Sequence, residues 1–304
     1  MLIARYAGSF YPASKEALLK QLSSLMSRKK EKGTEKRTEK ETKAKAIIAP
    51  HAGYAFSGKA MATAYKSLNG FERVIIAGTN HQGIGIKPFI VPKADKIKSP
   101  LGIVEIDQAF ISELQSKLTD KIEKNDEIAR EHSIEVQLPF LQYLKMQSKG
   151  KGKEGKESQE KAVKVVPILV NTDEREELGY LASKIAELIK PQDKLIFSSD
   201  FTHYGIAYGF VPFEAKKKEL KQKIYELDRA AIDAILALDY ESFEREALKT
   251  TICGTSVIKF AILIARELNL KPKLLDYYTS SDITKDVDYI ADGIVSYASI
   301  GFFE

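Results

Sequence analysis

Short, wholly apolar runs alternate along this chain with longer stretches of helical period. Ile47 to Ala49, Val74 to Ala77, the run VKVVPILV and Leu195 to Phe197 are each of strand length and each is bounded by turn or polar residues. Such runs suit strands buried on both faces, the condition of a parallel sheet. Between them apolar residues recur at three- and four-residue spacing, which predicts helices from Lys15 to Ser27 behind a Ser14 cap, from Gly58 to Leu68, from Asp107 to Leu118 and from Glu174 to Ile189. Further helices are expected over Phe213 to Leu238, Ser242 to Leu248 and Val257 to Leu268. EHSIEVQLPFLQYL puts Ile134, Leu138, Leu141 and Leu144 at helical spacing, with Pro139 as a kink. Ile86 to Val91 and Gly102 to Ile106 read as short strands, and KLLDYYTSS and GIVSYASIGFF alternate as antiparallel strands do. The expected fold is α/β: a single three-layer domain over 1–304, with a mixed, largely parallel central sheet flanked by helices.

Three of the expected strands end in loops that carry chemistry. Ala49 runs into Pro50 and His51, Gly78 into TNHQGIG with His81, and Ser198 into SDFTHYG with Asp200 and His203. His132 opens a helix beside Glu131, and Cys253 lies in TICGTS, where Gly254 is expected to permit an unusual backbone angle. Ligands of open α/β sheets bind outside the carboxyl ends of the strands. The chain has four histidines and one cysteine, and every one of them falls where a pocket at that edge could collect it. Any single histidine also suits a structural role, and a free cysteine is commonly a small buried hydrophobe. Two imidazoles and a thiolate would make a three-ligand site for Fe, Zn or Cu with a position left open. Asp200 beside His203 has the composition of an acid/base pair, or of a turn cap and a packed ring. Glu131 and His132 suit an orienting pair, a substrate-contacting pair, or simply the start of a helix.

Composition narrows the partners. The net charge of +5 arises from two low-complexity insertions, residues 28–45 with nine Lys/Arg against four Glu and residues 148–161 with five Lys against three Glu. Both read as solvated loops, and no aromatic side chains interleave with their lysines to stack bases, so nucleic acid is not an expected partner. No apolar run approaches the roughly 20 residues of a membrane span, and no secretory leader is readable at the N-terminus. A lone cysteine fits a reducing compartment, and a cytoplasmic protein is expected.

AGSFYP, APHAGY, GTNHQG, EHSIEVQLP, SSDFTHYG and TICG, in this order, resemble the Memo family, named for mediator of cell motility, from residue 4 to the C-terminus. The resemblance implies a fold similar to the class III extradiol dioxygenases, with a non-haem metal held by His51, His81 and Cys253. Fe(II) is the first expectation, with Cu or Zn as alternatives. It puts the catalytic-type histidine at His203, with Asp200 and His132 lining the same pocket as further catalytic candidates. Phe10 and Tyr11, together with Tyr54 and Glu131, are the expected substrate contacts. The dioxygenase triad ends in a carboxylate; here the third ligand would be a thiolate, softer and more easily oxidised. The expected function is therefore redox or dioxygenase-like chemistry on an unknown small molecule. The alternative is a non-enzymatic module that binds a peptide or serves a protein complex, since similar proteins are encoded beside a radical-enzyme partner.

Overall fold

The apolar runs form adjacent strands in a computed structural model that describes residues 1–27, 43–68, 70–149, 162–213, 217–284 and 293–304. The strands are β1 (Leu2–Ile3), β2 (Ala46–Ala49), β3 (Arg73–Thr79), β4 (Phe89–Val91), β5 (Lys96–Ser99), β6 (Gly102–Ile106), β7 (Ile122–Lys124), β8 (Val163–Val170), β9 (Lys194–Ser198), β10 (His203–Tyr204), β11 (Lys271–Thr279) and β12 (Ile294–Phe303). The helices are α1 (Lys15–Ser27), α2 (Tyr54–Tyr65), α3 (Gln108–Leu118), α4 (His132–Glu135), α5 (Leu138–Lys149), α6 (Arg175–Leu188), α7 (Lys217–Leu236), α8 (Tyr240–Ala247) and α9 (Thr255–Glu267). Among the described residues one mixed sheet runs β1-β5-β6-β8-β3-β9-β2-β12-β10, with β11 on the other side of β12, β4 beside β8 and β7 beside β4. The five strands β6, β8, β3, β9 and β2 are mutually parallel. Helices α1, α2 and α5 pack on one another on one side, and α3, α6, α8 and α9 form the second helical layer.

The local sequence explains the departures from expectation. Pro167 sits inside β8, yet β8 shares one edge between β6, at Val163 to Val165, and β4, at Leu169 and Val170. Pro167 falls in the gap, where its missing N–H costs no ladder bond. Pro139 does not kink one helix. The chain turns at Val136 and Gln137, and the proline stands in the first turn of α5, where its N–H would be unpaired anyway. Helix α2 begins at Tyr54, four residues before the expected Gly58, because the Phe10 carbonyl accepts the Tyr54 N–H at 2.8 Å and satisfies that first turn. Strands β1, β5, β7 and β10, at most four residues each, carry no local pattern and exist through long-range pairing.

The insertions at 28–45 and 148–161 lie almost wholly outside the described residues. At the described edge of the first, Lys45 is not solvated: it is buried at the foot of β2, and its Nζ donates to the carbonyls of Lys190 (2.6 Å) and Pro191 (3.2 Å).

Candidate metal centre

Strand β9 lies between β2 and β3, and Ala49 is level with Ser198, so the three following loops open side by side. Out of β2 comes His51, 1% exposed, whose backbone N–H donates to Asp200 Oδ1 at 2.8 Å. Its Nδ1 is 3.0 Å from the Ser198 hydroxyl. That hydroxyl already donates its one proton to the Ser133 carbonyl (2.6 Å) and accepts from Gln137 Nε2 (2.9 Å). It can therefore only accept from His51, which fixes the proton on Nδ1 and turns the Nε2 lone pair toward Cys253 Sγ. Burial, reinforced by the neighbouring His132 and His81, holds this imidazole well below its ordinary range, so it is neutral.

His81, out of β3, is fixed by a carboxylate instead. Glu131 accepts the His81 N–H at 2.8 Å and His81 Nδ1 at 2.9 Å, and also the Ser133 N–H at 3.0 Å. His132 Nδ1 is 3.1 Å from the same oxygen. Burial alone would raise the Glu131 carboxyl, but the hydrogen bonds from His132, His81 and Ser133 outweigh it and hold the group well below the usual carboxylate range. An ionised carboxylate only accepts, so His81 and His132 also carry their protons on Nδ1 and present Nε2. Gly78 lets this happen. A Cβ there would come within 2.7 Å of Ser133 Oγ and 2.6 Å of Ile134, so α4 could not settle on the end of β3.

Cys253 arrives from the other helical layer, at the N-terminus of α9. Gly254 next to it has φ −102°, an ordinary backbone angle, so the expectation of an unusual one is not met. The glycine is needed for closeness: a Cβ would stand 2.5 Å from Ser199 Oγ and 2.9 Å from Thr79 Oγ1. Ser199 in turn accepts the Gly254 N–H at 3.0 Å, clamping the turn to the end of β9. Cys253 Sγ lies 3.2 Å from His51 Nε2. Burial, with the charge of Asp200 behind it, pushes the thiol up, and only a neighbouring cation would reverse that.

The sulfur and the His51 and His81 nitrogens all lie within 4.8 Å of one another. His81, Glu131 and His132 form a second such group. The donor chemistry separates the two. Glu131 has both oxygens committed to hydrogen bonds, whereas the first group offers two imidazole Nε2 atoms and a thiol whose contacts are His51 Nε2 at 3.2 Å and the Asp200 carbonyl at 3.7 Å. The residues present therefore fit a metal bound by His51, His81 and Cys253, with Glu131 and Ser198 orienting the two rings. A nitrogen–sulfur set of this kind suits Fe, Cu or Zn.

The other expected residues divide. Asp200 is buried, its carboxyl pushed up by burial against the pull of His203 and of the His51 and Ala52 N–H donors; Oδ2 is 3.9 Å from His51 Nε2. His203 is held by its Nδ1, 2.9 Å from the Phe201 carbonyl, and by Thr251, whose hydroxyl binds its backbone on both sides. His132 packs on His81 at 4.6 Å, and half-buried Phe10 covers it at 4.9 Å. Tyr11 and Tyr54 are core side chains. Their hydroxyls donate to Glu135 (2.7 Å) and to the Val136 carbonyl (2.6 Å), so neither offers a polar atom to the pocket. Glu131 has a wholly buried side chain beneath the histidines and supports them rather than facing a substrate. Sequence reasoning missed Ser198, Gln137, Thr251 and Glu135. Glu135 accepts the Arg5 and Tyr6 N–H groups and ties the N-terminal segment to α4. Glu135 and Gln137 gave one local signal, a polar residue between apolar neighbours; Ser198 and Thr251 gave none.

The family profile described as Memo-like protein matches residues 3–301. A MEMO1 family protein of Thermococcus onnurineus is 36% identical over 307 residues, covering 97% of each chain. One from Pyrococcus horikoshii is 35% identical, covering 97% of this chain and 96% of its own. One from the bacterium Aquifex aeolicus is 35% identical over 291 residues, covering 93% of this chain and 94% of its own. The chain belongs to the Memo family, whose fold is that of the extradiol dioxygenases.

Proposed function

We propose that this protein is a non-haem metalloprotein, with His51, His81 and Cys253 as ligands to Fe(II), or to Cu or Zn in its place, and with redox or dioxygenase-like chemistry on a small molecule. The observation that carries this reading is the cluster of three ligand atoms within 4.8 Å, two of them on imidazole rings held through Nδ1 by Ser198 and Glu131. Fe(II) or Cu bound there would supply one-electron redox chemistry and an open coordination position; Zn would supply only a Lewis acid. The protein's own part is positional. His51 and Cys253 are buried or half-buried while His81 keeps a 26% exposed side chain, so the site opens to solvent on the His81 and His132 side. Asp200 and His203 are the groups placed to hold and pass a proton, His203 through Nε2, since its Nδ1 is engaged by backbone carbonyls. No described helix is long and apolar enough to cross a membrane, and with the lone thiol this supports a cytoplasmic setting.

The test is spectroscopic. Adding Cu(II) or Fe(III) to the metal-stripped protein should produce a thiolate-to-metal charge-transfer band, absent from Cys253→Ser and weakened in His81→Ala. No band with any redox metal would overturn the Cys-ligated site. Retention of a protein partner by Cys253→Ser, with no oxygen uptake by the metal-loaded wild type, would assign the pocket to binding instead.

A further inference from the structure

The amino ends of the strands, at the edge of the sheet opposite the metal centre, carry a second concentration of charge. Lys45 stands immediately before β2 and Lys194 opens β9, and both are buried, at 5% and 7% exposure. Strands β2 and β9 are parallel with Ala46 level with Leu195, and the Leu195 N–H donates to the Lys45 carbonyl at 3.2 Å. One step back, Lys45 and Lys194 are therefore level, on strands about 4.8 Å apart, and residues level across a sheet share a face. On its other side Lys194 is level with Val74 of β3, which is wholly buried and apolar. Two ammonium-bearing side chains thus stand next to each other, an arrangement that like charges disfavour.

The two differ in what they bind. Lys45 Nζ gives two of its three protons to the carbonyls of Lys190 (2.6 Å) and Pro191 (3.2 Å) and has one left. Lys194 makes no side-chain hydrogen bond and no ion pair among the described residues, and its Nζ is not sealed from solvent. The nearby carboxylates do not fill the gap. Asp193 turns Oδ2 to Arg73 at 2.5 Å and to the Lys190 N–H at 2.8 Å, and exposed Glu304 pairs with neither lysine among the described residues. Exposed Lys43 adds a third positive charge that Lys194 feels. Burial, and then the charge of Lys45, lower the pKa of Lys194, as befits a cation short of a counter-charge. A buried lysine is ordinarily paired, because an ammonium taken out of water without a partner is strongly disfavoured. Two adjacent ammonium groups with protons to spare are matched by a group with two negative charges and several acceptor oxygens, and a tetrahedral oxyanion is a small group of that kind.

We infer that Lys194 and Lys45 form a binding site for a doubly charged tetrahedral oxyanion, phosphate or sulfate, at the amino edge of the sheet, with Lys43 adding attraction from outside. Since both side chains are buried, the free ion fits this site better than a bulky ester of it. The site is independent of His51, His81 and Cys253, which gather past the opposite ends of the strands, and so does not rest on the metal reading.

The probes are inorganic phosphate and sulfate, titrated by calorimetry into the metal-stripped full chain near neutral pH at constant ionic strength, with acetate as the singly charged control. Wild type should bind both dianions saturably and acetate about tenfold more weakly. Lys194→Gln should weaken the dianions by about tenfold, Lys194→Arg should keep most of the affinity, and Cys253→Ser should match wild type. Phenyl phosphate should bind more weakly than inorganic phosphate; tighter binding would overturn the assignment to a free ion. Thermal unfolding is the second measurement. Lys194→Gln removes an unpaired buried cation, so in chloride it should unfold no earlier than wild type, and sulfate should raise the midpoint of wild type alone. No saturable binding by wild type, unaltered affinity in Lys194→Gln, or loss of binding in Cys253→Ser would each overturn the site.

Discussion

Replacing Ser198 by alanine removes one oxygen atom from the base of the site. Ser198 is wholly buried at the end of β9, and its hydroxyl joins Ser133, Gln137 and His51 at 2.6, 2.9 and 3.0 Å. Each such bond contributes on the order of 1 kcal/mol net, and the alanine removes three of them at once, although Gln137 Nε2 keeps its bond to the Pro50 carbonyl, so Ser198→Ala should cost about 3 kcal/mol of folding stability. It should also free the His51 proton to move between the two ring nitrogens. Loss of an orienting partner of this kind typically lowers metal affinity by about 10- to 100-fold. Urea denaturation of the metal-stripped proteins measures the first quantity, and competition with a chelator, using Zn as a redox-silent probe, measures the second. A stability loss below about 1 kcal/mol together with wild-type metal affinity would refute the tautomer argument.

Three other substitutions probe different parts of the account. Glu131→Gln puts an amide where two imidazole Nδ1 atoms need an acceptor, and chelator competition should show metal affinity falling by about 10- to 100-fold with the fold retained by circular dichroism. Gly254→Ala forces a Cβ into Ser199 and Thr79 and should cost about 1–3 kcal/mol in thermal or urea unfolding while displacing the Cys253 turn, with loss of the charge-transfer band. Asp107 caps α3 and pairs with Arg73 at 3.1 Å; burial raises its carboxyl, but the Phe110 N–H and Arg73 outweigh this and lower it. Since the folded value lies below the ordinary 3.8, its contribution is complete above that pH and is lost as pH falls further. Asp107→Asn should therefore cost about 1–2 kcal/mol at pH 7, and the deficit should shrink on acidification below about pH 4; a deficit independent of pH would contradict it.

The parts of the fold written in local pattern were the ones legible from sequence. The apolar runs of β2, β3, β8 and β9 needed no partner to be recognised, and since each ends abruptly, the residues at its exit could be placed at the carboxyl edge before any contact was known. His51, His81, Asp200 and His203 were placed at that edge in this way. What the sequence could not show was which polar residue faces which. Glu131 reads as a substrate contact until β3 and α4 are brought together, when its oxygens prove to be taken by His81 and His132. Ser198 is a single serine in an apolar strand, and its part in fixing the His51 proton depends on α4 and on Gln137, more than 60 residues away. The break between α4 and α5 was hidden because the turn at Val136 and Gln137 leaves the apolar residues on either side in helical register. Gly254 was noticed for the wrong reason, since crowding at a missing Cβ leaves no mark on the local sequence.

The central claim is that His51, His81 and Cys253 together hold a metal ion. Elemental analysis of the protein made and purified without oxygen, with and without added Fe(II), tests it most directly when His81→Ala is measured alongside. The account predicts about one metal ion per chain in wild type, with iron favoured, and a large loss in the variant. No metal in either protein after adding Fe(II), Cu or Zn, or equal metal in both, would contradict it.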